Sequence, residues 1–179
     1  SASRNPKTGA EAIGRIKREI PSALVRFEAV DLGDLGSVAA LAARLRDQIQ
    51  GLDLLINNAG VMTPPRRMET ADGFELQFGT NYLGHFTLTA LLLPLLMNAG
   101  QARVVTVSSI AARQGRINFS DLQAGGGYNP MLVYAQSKLA CLMFALELQR
   151  RSQDRGWGVT SMAAHPGVSR TRLLYNAPG

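Results

Sequence analysis

The stretch Leu52-Asp53-Leu54-Leu55-Ile56-Asn57-Asn58-Ala59-Gly60 joins a short apolar run to a turn of small and polar residues. A run that is apolar on both faces, as Leu52 to Ile56 is, is typical of a strand buried in a parallel sheet. The small residues Ala59 and Gly60 let the backbone of the turn approach a flat ligand closely, as glycines do in nucleotide sites. The stretch therefore predicts a buried parallel strand that ends at a ligand-binding edge.

Helical and strand patterns alternate on both sides of this strand. Strands are predicted over 24–30, 103–107 and 158–164. Helices are predicted over 9–20, stopped by Pro21; over 38–49, capped by Ser37 and closed by Gly51; over 74–98, kinked at Pro94; and from Tyr134 onward. The alternation predicts a single α/β domain over residues 1–179, a doubly wound parallel sheet with helices on both faces.

Polar or small residues follow several of the predicted strands. Asp31 follows the first, Asn57 follows the strand Leu52 to Ile56, Ser109 follows the strand over 103–107, and Pro166-Gly167 follows the last. Ligands in doubly wound sheets bind beyond the carboxyl ends of the strands. We therefore expect these residues to lie together at one binding edge.

The pentapeptide Tyr134-Ala135-Gln136-Ser137-Lys138 opens the longest predicted helix. Residues four apart lie on one face of a helix, so the Tyr134 phenol and the Lys138 ammonium share one site. A tyrosine has an ordinary pKa of about 10, and a nearby cation stabilises its phenolate and lowers that value. The pair predicts an acid-base group, although a half-buried tyrosine beside a solvated lysine has the same spacing.

Composition narrows the function classes. The chain has 179 residues, 46% of them hydrophobic, and a net charge of +6. Its Lys and Arg residues are scattered over helical surfaces without aromatic interleaving, which argues against nucleic-acid binding. The longest apolar run, Leu88 to Met97, is interrupted by Pro94 and falls short of the roughly 20 residues of a membrane span, so we expect no membrane segment in this chain.

Cysteine and histidine usage points to a reducing compartment and away from metal chemistry. Cys141 is the single cysteine, and no Cys-x-x-Cys or His-rich cluster offers a metal site, so we expect no metal and a cytoplasmic location. His85 and His165 together with Ser109 suggest a serine hydrolase. The sequence has no Gly-x-Ser-x-Gly elbow, and structural or surface histidines are the favoured interpretation.

The ordered set of motifs resembles the short-chain dehydrogenase/reductase family over nearly the whole chain. The matching residues are Asn57-Asn58-Ala59-Gly60, Asn81, Ser109, Tyr134-x-x-x-Lys138 and Pro166-Gly167-x-x-x-Thr171. The long loop from Gln114 to Leu132 is similar to the branch that contains retinol dehydrogenases and protochlorophyllide reductases. The resemblance implies a Rossmann-type fold.

The resemblance also implies a set of catalytic roles. Tyr134 would be the acid-base, and Lys138 would lower its pKa and hold the nicotinamide ribose. Ser109 would hydrogen-bond the substrate oxygen, and Asn81 would hold a water that relays protons. Hydride transfer to a carbonyl leaves negative charge on oxygen, so a hydroxyl donor and a positioned acid suit the transition state. Ser109 is preferred to Ser108 because successive strand residues face opposite ways and the family's serine is the second of the pair.

Cofactor contacts follow from the same resemblance. Asp31 and Leu32 would contact the adenine, and Thr171 would face the carboxamide of the nicotinamide. Arg4 occupies the place where family members that prefer the phosphorylated cofactor carry a base, and its guanidinium can pair with a 2′-phosphate, so NADP is favoured over NAD. The full predicted cofactor set is Arg4, Asp31, Leu32, Asn57, Ala59, Gly60, Tyr134, Lys138, Pro166, Gly167, Val168 and Thr171.

The resemblance gives partners as well. The expected substrate is a small carbonyl or alcohol compound, apolar as in the branch named above. The Tyr134 helix and the helix from Asn81 form the family's usual dimer face, so a homodimer or homotetramer is expected.

One departure from the family pattern limits these expectations. Nothing matches the glycine-rich phosphate loop between the family's first strand and first helix, and the C-terminal strand is also missing, so we expect a truncated domain and an incomplete sheet. In the strand order 3-2-1-4-5-6 the missing first strand is central, and we expect its loss to leave the third and fourth strands without a common neighbour. The alternative function is a non-catalytic fragment or family member that acts as a binding or oligomerisation module.

Overall fold

The computed structural model of the protein describes residues 1–167, in which strands and helices alternate. The strands are β1 (Ala2–Ser3), β2 (Glu28–Ala29), β3 (Leu54–Asn57), β4 (Arg103–Val107) and β5 (Thr160–Ala164). The α-helices are α1 (Pro6–Glu19), α2 (Leu35–Gln48), α3 (Leu76–Phe78), α4 (Gly84–Asn98) and α5 (Pro130–Arg155). A π-helical turn over Gly79–Leu83 joins α3 to α4, and a 3-10 turn over Ile110–Gln114 follows β4.

All strand pairs in the described chain are parallel. β1 pairs with β2, and β3, β4 and β5 form a second sheet in that order. Parallel sheets with crossover helices confirm the predicted α/β class. The sequence analysis expected the third strand of the 3-2-1-4-5-6 order to lack a neighbour. That expectation is wrong, because β2 is the third strand of this order and pairs with β1. The break lies between β1 and β3, since the second and fourth strands flank the first in that order.

β2 is much shorter than the strand predicted over 24–30. A strand exists only where a partner completes its ladder, and β2 meets a partner only at the start of the chain. Glu28 N donates to the Ser1 carbonyl at 2.8 Å, and Val30 N donates to the Ser3 carbonyl at 3.1 Å. The β-prone residues before Glu28 therefore remain irregular in structure.

Two helix starts differ from the predictions. Asp34, and not Ser37, caps α2, because the Asp34 side chain accepts from Ser37 N at 3.1 Å while the Ser37 hydroxyl accepts from Asp31 N at 3.0 Å. The helix ends at Gln48 with Ile49 as its C-cap, so Gly51 does not close it. α5 begins at Pro130, so Tyr134 lies in its second turn rather than at its start.

Helix α4 runs through Pro94 to Asn98, and a π-helical turn that the sequence did not predict precedes it. An extra residue in a helical turn shifts the hydrogen-bond ladder, and Gly84 N accordingly donates to the Gly79 carbonyl. This turn carries Asn81, so the irregular geometry coincides with a predicted site residue.

Helices α4 and α5 pack together over one face of the β3–β4–β5 sheet. Leu96 of α4, Val104 of β4 and Leu148 of α5 belong to one buried cluster. The opposite face of β3 differs from the prediction of a strand buried on both faces, because Leu54 and Ile56 are 50% and 55% exposed. In residues 1–167, β3 is thus covered on one side.

α5 is the one helix of the described chain that is long and apolar enough to cross a membrane by length and composition. The uninterrupted apolar runs of the sequence do not reveal it, because polar residues such as Gln136 and Lys138 divide its apolar stretch. In its most apolar window, 56% of the residues are buried within the protein. Contacts with β4 and β5 explain that burial, so its apolar character is that of a core helix.

Candidate active site

The carboxyl ends of β3, β4 and β5 meet at one edge of the sheet. Asn57 of β3 lies opposite Thr106 of β4, and Val107 of β4 lies opposite Ala164 of β5. The residues that follow these strands, among them Ser109 and Pro166, are therefore brought to the same edge, as the sequence predicted. Tyr134, Lys138 and Asn81 approach this edge from α5 and the π-helical turn.

Tyr134 and Lys138 lie on one face of α5 and are both buried, each with 5% of its surface exposed. The Lys138 ammonium nitrogen is 5.9 Å from the centroid of the Tyr134 ring and donates a hydrogen bond to the Val107 carbonyl at 3.0 Å. A carbonyl at the end of β4 thus aims the lysine toward the tyrosine. The alternative of a solvated lysine is wrong for this residue.

The pKa of Tyr134 does not shift in the predicted direction. Burial raises the pKa of the Tyr134 phenol above its ordinary value, and a hydrogen bond with the Ser109 hydroxyl offsets part of that rise. Burial also lowers the pKa of Lys138. The expectation that Lys138 lowers the Tyr134 pKa is therefore not met in this structure, because burial of the phenol raises that pKa.

The two serines after β4 face different ways. The Ser108 hydroxyl is buried and donates to the Lys138 main-chain carbonyl at 2.7 Å, which ties β4 to α5. The Ser109 hydroxyl accepts from Ala111 N at 3.2 Å and lies close enough to the Tyr134 phenol to hydrogen-bond with it. The predicted choice of Ser109 thus agrees with its position beside the phenol.

Asn81 is buried and holds two parts of the site together. Its side-chain oxygen accepts from Val61 N at 2.8 Å, and its side-chain nitrogen donates to the Val61 carbonyl and to the Ser137 hydroxyl, both at 3.0 Å. The side chain therefore joins the segment after β3 to α5, one residue before Lys138. Both of its N–H donors are used in these contacts, so the amide is left with no hydrogen to donate to the predicted water.

Sequence reasoning missed two neighbours of Asn81. The main-chain carbonyl of Asn81 accepts from His85 Nδ1 at 2.9 Å and from Cys141 Sγ at 3.1 Å. His85 was expected to be a structural or surface histidine, and both His85 and Cys141 are buried. Helical spacing carries the signal, because His85 is four residues after Asn81 and Cys141 is seven after Tyr134 on the same face of α5.

The glycine after β3 leaves room that a side chain would fill. A Cβ atom at Gly60 would lie 2.9 Å from Asn81 Oδ1 and 3.7 Å from Lys138 Nζ. Lys138 has three N–H donors, and within residues 1–167 it uses one, on the Val107 carbonyl. Close backbone approach and free donors beside a buried phenol suit the ribose and nicotinamide of a dinucleotide.

The other predicted cofactor residues differ in exposure and in the hydrogen bonds that their side chains make. Arg4 follows β1 and is exposed, and Ala59 is exposed after β3. The Asp31 carboxylate accepts from Gly33 N at 2.8 Å, and the Leu32 side chain is buried in the core, so Leu32 presents backbone rather than side chain. Asn57 is buried too, and its side-chain nitrogen donates to Thr89 Oγ1 at 3.0 Å.

The last predicted cofactor residues lie around the end of the described chain. Pro166 and Gly167 follow β5, and Gly167 has a φ of +76°, a conformation that favours glycine. Val168 and Thr171 lie outside the described residues. Their predicted contacts therefore stay predictions.

The loop between the 3-10 turn and α5 is held by its own side chains. The sequence Gly125-Gly126-Gly127 suggests a flexible loop, but the Asp121 carboxylate accepts from Gly125 N at 2.8 Å and from Gly126 N at 2.9 Å. Gln123 ties the loop to the segment before α3, since its side-chain oxygen accepts from Glu75 N at 2.7 Å. The loop is thus held to the segment before α3.

Comparison with known proteins defines the class. The family model described as short chain dehydrogenase matches residues 1–178, and the chain therefore belongs to the short chain dehydrogenase family. This confirms the resemblance drawn from Asn57-Asn58-Ala59-Gly60 and Tyr134-x-x-x-Lys138.

The similar relatives belong to the retinol dehydrogenase branch that the sequence suggested. The chain is 46% identical over 173 residues to polyprenol dehydrogenase of Mus musculus, covering 94% of this chain and 51% of the relative. It is 44% identical over 176 residues to human retinol dehydrogenase 12, covering 98% and 55%. The chain thus spans about half the length of the curated relatives it matches.

Two solved structures share the fold of this chain. A crystal structure of an uncharacterised protein from Mycobacterium paratuberculosis has 47% sequence identity and a TM-score of 0.81, and the match covers 98% of this chain and 61% of that one. A short-chain dehydrogenase from Sphingobium yanoikuyae in complex with NADPH has 23% identity and a TM-score of 0.76, covering 98% and 63%. At that identity the second likeness shows the fold alone.

Proposed function

We propose that the protein is an NADP-dependent oxidoreductase that transfers a hydride between the nicotinamide and an apolar alcohol or carbonyl compound. The observation that carries the proposal is the buried Tyr134 phenol, with the Ser109 hydroxyl on one side and the Lys138 ammonium 5.9 Å from its ring. The names of the similar relatives, retinol and polyprenol dehydrogenases, support an apolar alcohol as substrate.

Three side chains of the site would have distinct roles in the transfer. When bound, the cofactor supplies or accepts the hydride. In the direction of reduction, Tyr134 gives its proton to the substrate oxygen, and Ser109 donates a hydrogen bond to the same atom. The Lys138 ammonium then stabilises the Tyr134 phenolate that remains. A raised pKa keeps Tyr134 protonated at neutral pH, which suits an acid.

A cofactor would contact residues from several strand ends. Lys138 would bond the nicotinamide ribose through its free donors, and Gly60 would let the backbone approach. Arg4 would pair with the 2′-phosphate, because a guanidinium matches phosphate geometry. Val168 and Thr171 would complete the nicotinamide side.

Removal of the phenol hydroxyl tests the central claim. Tyr134→Phe is expected to lower kcat for retinol or its aldehyde by about a hundredfold or more, while the Kd for NADPH stays within threefold. Tyr82→Phe is the matched control, because no described residue hydrogen-bonds to the Tyr82 hydroxyl. Equal activity of the wild type and Tyr134→Phe would contradict the proposal.

A thermal-shift assay together with the turnover assay separates the enzyme from the alternative, a non-catalytic binding or oligomerisation module. A ligand that binds the native state raises its melting temperature by mass action. NADPH at millimolar concentration is expected to raise the Tm of the wild type. An unchanged Tm together with no turnover would favour the module.

The cofactor preference has its own test. Arg4→Glu is expected to weaken NADPH binding by about tenfold and leave NADH binding within threefold, because the carboxylate repels the 2′-phosphate. Arg15→Glu makes the same charge change on the exposed surface of α1 and serves as the control. A loss of the same size in both variants would show that net charge, not Arg4, selects the cofactor.

Location and assembly complete the proposal. The single cysteine, Cys141, is unpaired and buried, which suits a reducing compartment such as the cytoplasm. Partly exposed apolar side chains of α4 and α5, among them Phe86 and Leu146, suit a homodimer or homotetramer formed through these helices. Cell fractionation and sedimentation of the purified protein test the two expectations.

A further inference from the structure

The main-chain carbonyl of Asn81 is held by two side chains from different helices. His85 Nδ1 of α4 lies 2.9 Å from the carbonyl oxygen, and Cys141 Sγ of α5 lies 3.1 Å from it. Exposed fractions of 1%, 4% and 1% for Asn81, His85 and Cys141 remove all three from water. The contact lies at the π-helical turn, where the regular helical ladder is shifted.

The chemistry of a carbonyl fixes the protonation of both partners. A carbonyl oxygen only accepts, so His85 must carry its proton on Nδ1 and Cys141 must be a thiol. Burial lowers the pKa of His85 to about 4 and raises the pKa of Cys141 to about 11. At neutral pH the imidazole is therefore neutral and the thiol is protonated, as the two hydrogen bonds require.

The held residue connects the parts of the proposed site. Through its side chain, Asn81 joins Val61 after β3 to Ser137 of α5. Cys141 lies three residues after Lys138 and bonds the Asn81 main chain from the same face of α5. Asn81 thus contacts α5 at two residues, Ser137 and Cys141, and Lys138 lies between these two in sequence.

We propose that His85 and Cys141 are positioning residues that hold Asn81 and thereby set Lys138 and Tyr134 relative to the segment after β3. The inference rests on the proposed function, since it assigns these two side chains to the same site. Their effect on turnover passes through Asn81 and α5. A displacement of a reacting group by about 1 Å lowers an enzymatic rate by as much as a hundredfold, so small changes here are measurable.

A purely structural role predicts a different response to substitution. Packing alone needs a side chain of similar volume, whereas positioning through the carbonyl needs a hydrogen-bond donor. Cys141→Ser keeps a donor and Cys141→Val removes it. His85→Asn places an amide donor near the position of Nδ1, and His85→Leu removes it.

Nitrogen NMR of the ligand-free wild type tests the His85 contact without any assay of activity. The expected spectrum at pH 7 shows one histidine in the neutral form with the proton on Nδ1, and His85→Asn removes that signal. A proton on Nε2 of His85 would overturn the inference. This result stands whether or not the protein proves to be an oxidoreductase.

Kinetics of the four variants test the positioning role. Cys141→Val and His85→Leu are expected to lower kcat about tenfold with KM for the alcohol within twofold, and Cys141→Ser and His85→Asn are expected to recover most of the loss. Equal rates for Cys141→Val and Cys141→Ser would overturn the inference. A wild type without turnover would instead contradict the proposed function, and the NMR result would still decide the inferred hydrogen bond.

Discussion

The side chain of Asn81 makes two hydrogen bonds with the backbone of Val61, accepting from its N–H at 2.8 Å and donating to its carbonyl at 3.0 Å. Both backbone groups of Val61 are satisfied by one amide, much as a neighbouring strand would satisfy them. The segment after β3 is thus fixed to the π-helical turn. The ligand edge of β3 therefore depends on a residue twenty positions later in the chain.

Asn81→Ala is expected to destabilise the protein by about 2 to 3 kcal/mol, because the three hydrogen bonds of a buried amide are lost at roughly 1 kcal/mol each. Denaturant unfolding of the purified protein measures the change. Asn98→Ala is the control, since Asn98 is exposed near the end of α4 and its side chain makes a single contact, to the Gln50 carbonyl at 3.3 Å. If Asn81→Ala loses no more free energy of unfolding than the control, Asn81 does not hold the segment after β3 in the way described.

His85 is expected to make the stability of the protein depend on pH. Its pKa is lowered from 6.5 to about 4, mainly by burial, so below pH 6.5 the unfolded chain binds a proton that the folded protein does not. The contribution of His85 to the free energy of unfolding is therefore complete above pH 6.5 and is lost as the pH falls towards 4. The loss amounts to about 3 kcal/mol at the lower limit.

A comparison of unfolding free energies at several pH values between 4 and 7 measures this effect. His85→Asn is expected to lack this part of the pH dependence, so the difference between wild type and variant narrows as the pH falls. His165→Asn is the matched control, because His165 is exposed and is the other of the two histidines. Parallel pH curves for the wild type and His85→Asn would contradict the prediction.

Sequence periodicity predicted both bounds of β4 to the residue. It also predicted that Tyr134 and Lys138 share one face of a helix and hence one site. Apolar strand runs and motifs at helical spacing are patterns within one short stretch of sequence. They can therefore be recognised without knowledge of the elements that pack against them. The position of polar residues at the strand ends followed from the parallel alternation. The family was recognisable from these residues alone.

Features that depend on tertiary partners were not predictable in the same way. The strand over 24–30 shrank to Glu28–Ala29 because only the first residues of the chain pair with it. Ser37 has the side chain of a cap, but Asp34 is closer to the start of α2 and occupies the position. The Tyr134 pKa rises because the phenol is buried, which a single sequence does not show.

The two serines after β4 are expected to respond oppositely to substitution. Ser109→Ala removes the hydroxyl beside the Tyr134 phenol and should lower kcat about a hundredfold with little change in stability. Ser108→Ala removes the buried bond to the Lys138 carbonyl and should destabilise the protein by about 1 kcal/mol while kcat stays within threefold. Steady-state kinetics and denaturant unfolding of both variants measure the contrast. A larger fall in kcat for Ser108→Ala would reverse the assignment.

Gly60→Ala is expected to weaken NADPH binding at least tenfold and to lower stability by about 1 to 2 kcal/mol, because the new Cβ atom would lie 2.9 Å from Asn81 Oδ1 and must displace the amide from Val61. The matched control is Gly127→Ala, since no atom lies within 4 Å of a Cβ atom at Gly127. Isothermal titration with NADPH and denaturant unfolding measure both effects. If the two alanine variants bind NADPH equally well, the close approach at Gly60 does not shape the cofactor site. If Gly60→Ala loses stability but keeps its affinity for NADPH, Asn81 anchors the segment after β3 without guiding the cofactor.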